Sequence, residues 1–191
     1  MKHSDVYGDA IKALRNSQSQ DLLALSEILI KSDHAPSNLS GYMMRGMAYE
    51  LGGQGIERDL ERAASNYRKA AYLVPDAITF LYLARVLMKQ GGEQHRNALR
   101  YIDEAKVLRM VPEVNLAYAR YYEGGDDPDY VKAQHYYLRA ALAGRFAGFF
   151  GYSAASRQMG QNVRACVVVG LLIVAFPFLL LLLGKKARRT L

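Results

Sequence analysis

The stretch Gly41-Tyr-Met-Met-Arg-Gly-Met-Ala-Tyr-Glu-Leu-Gly-Gly-Gln-Gly-Ile-Glu-Arg-Asp-Leu-Glu-Arg-Ala-Ala-Ser-Asn-Tyr-Arg-Lys-Ala-Ala71 decides the fold of this chain. In its second half Ala63, Tyr67 and Ala70 recur at i, i+4 and i+7, one face of a helix. The segment from Leu60 to Tyr72 is built of good helix formers and has no internal proline. Its first half reads as another helix, marked by the small residue Gly46 and, three positions on, Tyr49. Small residues at such points let two helices approach closely while the large neighbour fills the adjacent hole. Gly52-Gly53-Gln54-Gly55-Ile56 lies between the halves as an inter-helix loop.

Outward from this stretch the pattern repeats every 35 residues. Ala63, Ala98 and Ala133 keep that step, as do Tyr67, Ile102 and Tyr137, and Ala70, Ala105 and Ala140. The first-helix marker recurs as Ala84 with Leu87 and as Ala119 with Tyr122. From Gly46 to Ala84 the step is 38, so the first copy carries a longer loop. Another 35 residues lead to Ala154, and Phe146 to Gly160 reads as the first helix of a fourth, unfinished copy. Asp59 is placed to cap the helix after it, and Asp127-Pro128 combines a capping side chain with a proline suited to a first turn. Gly91-Gly92, Gly124-Gly125 and Gly144 mark turns, and Pro75 and Pro112 fall between copies. Before the array, Val6 to Asn16 and Asp21 to Lys31 read as two short helices, a diverged cap over residues 1–39. Residues 33–40, with Pro36, Ser37, Asn38 and Ser40, read as the connecting loop. The expectation is an all-α solenoid of helical hairpins.

Gly46, Tyr49, Gly53-Gln54-Gly55, Asp59, Ala63, Tyr67 and Lys69-Ala70-Ala71 together closely resemble a Sel1-like repeat, a relative of the tetratricopeptide repeat. The third copy keeps Tyr122, Gly124, Asp129, Ala133, Tyr137, Arg139, Ala140 and Ala141. The second is degenerate, with Ile102 where tyrosine is usual and Lys106 where the second alanine falls. The resemblance covers residues 40–160, about three and a half copies. It implies a protein-protein interaction adaptor or scaffold with no catalytic role, and Sel1-like proteins are linked to signalling, protein quality control and cell-surface polysaccharide assembly.

The end of the chain differs in kind. From Ala165 to Gly184 there is no charged residue in 20 positions, and Lys185-Lys186-Ala187-Arg188-Arg189 follow. Twenty residues at the helical rise span roughly 30 Å, the thickness of a bilayer's hydrocarbon core. Residues 163–184 therefore read as a single transmembrane helix in contact with the lipid bilayer, and 185–191 as a basic tail. Pro177 would kink the helix mildly, and Cys166 with Gly170 forms a small-xxx-small pair. No leader-like apolar core occurs in the first thirty residues. The run then resembles a tail anchor that leaves the repeats in the cytosol, although the basic tail, by the positive-inside rule, pulls the other way.

Four of the 25 basic residues belong to that tail, leaving 21 against 18 acids over the rest of the chain. They form no dense stripe of the kind nucleic-acid binding requires, so no nucleic acid is expected as a partner. The single cysteine, Cys166, lies inside the apolar run, where it is either an inert small residue or a site of acylation. His3, His34, His95 and His135 have neither each other nor a cysteine at zinc spacing. Asp126, Asp127 and Asp129 lack the calcium-loop pattern. Gly52-Gly-Gln-Gly55 lacks both the preceding strand and the Gly-Lys-Ser/Thr ending of a phosphate loop. No cofactor, metal or catalytic residue is expected.

Fourteen tyrosines are the surplus that invites a function. Tyr49, Tyr67, Tyr122 and Tyr137 take repeat-core positions. Tyr42, Tyr82, Tyr118 and Tyr121 lie on first helices with Arg45, Arg85, Lys89 and Arg120, and such helices line the concave face of related solenoids. Arg85 and Arg120 are 35 apart. Tyrosine and arginine are favoured at interface hot spots, so these eight residues form a candidate face for a protein or peptide partner. Packing and solubility are the alternative role for the same side chains. An enzyme on a repeat scaffold and a structural subunit of a membrane complex are the other function classes considered.

Overall fold

The computed structural model describes residues 18–32, 34–108 and 112–163, with Asp9, Lys12, Ala13, Asn16 and Val167 beside them. Over these residues the chain is all-α, with eight helices and no strand: α1 (Ser19–Ile30), α2 (Ala35–Leu51), α3 (Leu60–Leu73), α4 (Ala77–Gln90), α5 (Gly92–Leu108), α6 (Pro112–Glu123), α7 (Tyr130–Leu142) and α8 (Ala147–Gln158). They fall into two compact units, Met1–Met110 and Val111–Leu191. In the first, α1 to α5 pack each against the next as successive hairpins; in the second, α6 packs on α7 and α7 on α8.

The 35-residue triplets form the seams. Ala63, Tyr67 and Ala70 of α3 and Ala98, Ile102 and Ala105 of α5 are buried in the first unit, as are Ala133, Tyr137 and Ala140 of α7 in the second. The small partners explain how close the helices come. A Cβ on Gly46 would lie 2.6 Å from the Tyr67 ring, and one on Gly41 would lie 2.7 Å from Ile30 of α1. At the fourth copy the small partner is displaced from its expected position. Gly151, not Ala154, lies against the Tyr137 ring, and Ala155 is the fully buried alanine.

The two hairpins α2–α3 and α6–α7 are closed in the same manner. The Asp59 N–H donates to the Tyr49 carbonyl at 2.9 Å, and the Asp129 N–H to the Tyr122 carbonyl at 2.8 Å. Each aspartate then caps its own helix: the Asp59 carboxylate accepts from the Arg62 N–H, and that of Asp129 from the Lys132 N–H. The longer first loop turns through Gly52, Gly53, Gln54 and Gly55, all with positive φ, and a two-way backbone bridge joins Gly53 to Ile56. Gly91, Gly125 and Gly144 also take positive φ.

Several boundaries differ from the sequence reading. Asp127-Pro128 does not start the seventh helix; Asp129 caps it, because its N–H reaches back to Tyr122. Residues 35–40 are not a loop but the first turns of α2, where Pro36 loses nothing, since first-turn N–H groups have no intrahelical acceptor. The helix expected over Asp21 to Lys31 runs from Ser19 to Ile30. Its first hydroxyl, on Ser19, donates to the Gly52 carbonyl at 2.5 Å and ties the cap to the loop. The helix expected over Val6 to Asn16 lies largely outside the described residues, as do the transmembrane segment expected over 163–184, apart from Val163 and Val167, and the tail 185–191. No helix among the described residues is long and apolar enough to cross a membrane.

Candidate functional site

In the first unit two helices present the candidate side chains, with the core-position Tyr49 beside them, at matching spacing. Tyr42, Arg45 and Tyr49 recur at i, i+3 and i+7 on α2, and Tyr82, Arg85 and Lys89 do so on α4. Tyr42, Arg45, Tyr49, Tyr82 and Arg85 are half-buried, and Lys89 is exposed. Arg45 donates through Nε to the Ser26 hydroxyl at 3.2 Å. The Lys69 ammonium stands 5.7 Å over the Tyr42 ring, and the Arg85 guanidinium 4.4 Å over that of Tyr82.

The centre of this group is Glu50, a residue the sequence reading passed over. Its side chain is only 6% exposed, and Arg85 and Lys89 each reach it at 2.6 Å, one on each carboxylate oxygen. Tyr67 donates its hydroxyl to Oε2 at 3.0 Å. An acid of α2 is thereby bound to the buried tyrosine of α3 and to two cations of α4. Burial alone would raise the Glu50 pKa, but the hydrogen bonds and charges of Lys89 and Arg85 outweigh it and hold the carboxyl below the ordinary value. Burial first, then the Glu50 charge, pushes the Tyr67 phenol well above its usual range. Burial works against the Arg85 charge, yet Glu50 more than compensates and raises its pKa. These shifts favour Glu50 as a carboxylate, Arg85 as a cation and Tyr67 as a neutral phenol. Arg85 Nε is buried with no hydrogen-bond partner among the described residues.

The second unit repeats part of the device. Tyr137 donates its hydroxyl to the Glu123 carboxylate, and Glu123 stands four residues after Ala119 as Glu50 does after Gly46. The Tyr137 phenol is likewise raised, by burial first and then by the bond to Glu123. Of the expected face, Arg120 is exposed and Tyr121 half-buried, its ring edge-on to Tyr122 at 5.2 Å. Tyr118 departs from the outward role expected of it. It is 4% exposed and stacks on Tyr136 at 4.7 Å, because the second helix of this copy offers a large flat ring beneath it. Tyr122 also stacks on Tyr136, with ring centroids 5.7 Å apart. Tyr49 and Tyr122, expected as core, are half-buried, with Arg62 and Lys132 over their rings.

The sequence did carry a signal for the missed acids. Glu50 and Glu123 occur in the copies that have Tyr67 and Tyr137, whereas the copy with Ile102 has Met88 at that position. A buried phenol needs an acceptor and an isoleucine does not, so the two positions change character together. Among the described residues no group of three or more His, Cys, Asp or Glu is placed to hold a metal ion.

The hairpins with the Tyr–Glu pair are also the ones recognised by comparison. The Sel1 repeat model matches residues 40–73, from within α2 through the glycine loop to the end of α3, and residues 113–144, from the first turn of α6 through α7. No curated protein matches the chain significantly. Each of the two units thus contains a Sel1 repeat, consistent with a Sel1-like repeat protein.

Proposed function

We propose that this chain is a membrane-anchored, non-catalytic adaptor whose repeats hold a protein or peptide partner against the first-helix face. Sel1 repeats suggest a protein-protein interaction scaffold. The observation that carries the reading further is the arrangement on α2 and α4: half-buried tyrosines beside cations, fixed in place by a buried carboxylate. Preorganised aromatic and guanidinium groups lose little entropy on binding, which suits them to a hot spot. The second unit carries Arg120 and Tyr121 on its own first helix, α6. The anchor is residues 163–184, proposed from the uncharged run Ala165 to Gly184 within them and its basic flank, with the repeats on the cytosolic side.

The test uses substitutions that spare the Glu50 cluster, since changing Arg85 or Lys89 would disturb the hairpins themselves. Full-length protein carrying Tyr42→Ala and Arg45→Ala, both on α2, is captured from its native membrane beside the unmodified chain. A partner retained by the unmodified chain and reduced at least several-fold by the double substitution is the expected outcome. Equal recovery with both proteins would overturn the binding-face reading.

A further inference from the structure

Ile78, Leu81, Tyr82, Arg85 and Lys89 form one stripe along α4, at i, i+3, i+4, i+7 and i+11, and all five are half-buried or exposed. The step of 38 that relates Gly46 to Ala84 relates this stripe to a second one on α2. It carries Ile78, Leu81, Arg85 and Lys89 back onto Ser40, Met43, Met47 and Leu51, and none of these is buried. Glu50 fixes how the two stripes meet. It follows Met47 by three residues and precedes Leu51, and Arg85 and Lys89 each reach it at 2.6 Å. The two cations of α4 therefore stand beside the end of the methionine row of α2. Tyr42 and Arg45 occupy a separate row of α2, where Lys69 lies over the ring and Ser26 accepts from the guanidinium.

Neither stripe contains an acid. Glu50, the one acid within α2 and α4, is 6% exposed with both oxygens occupied, so it answers one of two cations and leaves a positive charge over. Arg85 and Lys89 remain partly open to water, at 36% and 42% exposure. A guanidinium has five N–H donors and an ammonium three, so each can take a further acceptor from outside. The imbalance belongs to these two helices, since α1, α3 and α5 taken together carry six acids and six lysines and arginines. The stripe on α2 is uncharged, with Met43 and Met47 half-buried and Leu51 exposed. Methionine side chains adapt their shape to an incoming apolar group.

We propose that the two stripes seat a short amphipathic acidic segment of a protein partner. Its apolar side chains lie on Met43, Met47 and Leu81, and its carboxylates pair with Arg85 and Lys89. A segment with both kinds of side chain covers the methionine row and completes the ion pairs together, whereas a polynucleotide or a lipid headgroup answers only the cations. Glu50 already holds both cations, so little of their side-chain freedom is lost on binding. The inference rests on the adaptor reading above and names the partner's chemistry, through residues other than Tyr42 and Arg45.

The experiment pans a random dodecapeptide display library against the full-length protein in nanodiscs of zwitterionic lipid. Enriched peptides are then synthesised with a fluorophore and titrated by anisotropy. The peptides expected combine several Asp or Glu with apolar residues, and replacing their acids by Asn and Gln weakens binding about tenfold. Leu51→Glu, at an exposed position, brings a competing carboxylate beside Lys89 and is expected to weaken binding to a similar degree, whereas Leu51→Met leaves it unchanged. Enrichment of neutral or basic peptides, or no enrichment, would overturn the proposal. So would acidic peptides that bind the Leu51→Glu chain undiminished, or that polyuridylate or short-chain phosphatidylserine displaces at a lower concentration of charge. The chain with Tyr42→Ala and Arg45→Ala separates the two readings. Peptides lost with Leu51→Glu but retained by that chain support this site without the other row, and the reverse pattern keeps the other row and overturns this site.

Discussion

A Cβ on Gly46 would lie 2.6 Å from Cε1 of Tyr67, a ring that is fully buried and held at its far end by Glu50. The ring cannot withdraw without breaking that bond, so Gly46→Ala forces α2 away from α3. The expected loss is about 1–3 kcal/mol, read as a lower urea midpoint of the full chain in detergent. Glu50 itself sets an acid limit. Its folded pKa lies below the ordinary 4.5, so its contribution is fully present above that value and is lost as pH falls through the depressed folded value. Glu50→Gln is expected to flatten the acid limb of the stability–pH profile below about pH 5 and to lower stability at neutral pH. The loss is moderated because Arg85 and Lys89 retain access to water, at 36% and 42% exposure. An unchanged acid limb in the variant would show that the triad does not carry this pH dependence. Tyr67 was legible as core from its place in the repeat. Glu50 was legible only by comparing copies, where it accompanies Tyr67; within its own helix, four residues after a small marker, it looks like any solvated position until α3 and α4 are both in place.

At the scale of elements, the caps and the Tyr–Glu pair make separate claims. Asp59 both receives the Arg62 N–H and sends its own N–H to Tyr49. Asp59→Ala removes the cap bond, together with an exposed ion pair to the Arg62 side chain at 3.2 Å, leaves the backbone bond to Tyr49, and is expected to cost about 1 kcal/mol, visible as a lowered denaturation midpoint. The degenerate copy permits a sharper experiment. Ile102 is fully buried, and Met88 holds the position of the acid. Ile102→Tyr alone is expected to destabilise by about 1–3 kcal/mol through overpacking and an unpaired hydroxyl. Adding Met88→Glu should recover part of that loss in a double-mutant cycle, whereas purely additive effects would deny the pairing rule. Asp127-Pro128 illustrates how a local signature misleads. It has the composition of a helix start, yet Asp129 takes the cap because only that residue stands at the hairpin closure with Tyr122. The beginning of α2 misled in the opposite sense, since proline and serine suit a first turn as well as a loop.

For the molecule as a whole, deleting residues 163–191 is expected to move the protein from the carbonate-resistant membrane fraction to the soluble fraction. Equal partition of the intact and shortened chains would remove the anchor. The period of 35 residues, the hairpin order and the buried triplets were determined by the sequence alone, because a helix's buried face is written in local spacing and a repeat writes it three times. The tertiary structure decided what crosses between helices: Glu50 joined to Tyr67, Arg85 and Lys89, and Tyr118 buried against Tyr136. Those pairings depend on how helices are offset after loops of different length, and that offset exists only once the hairpins are packed.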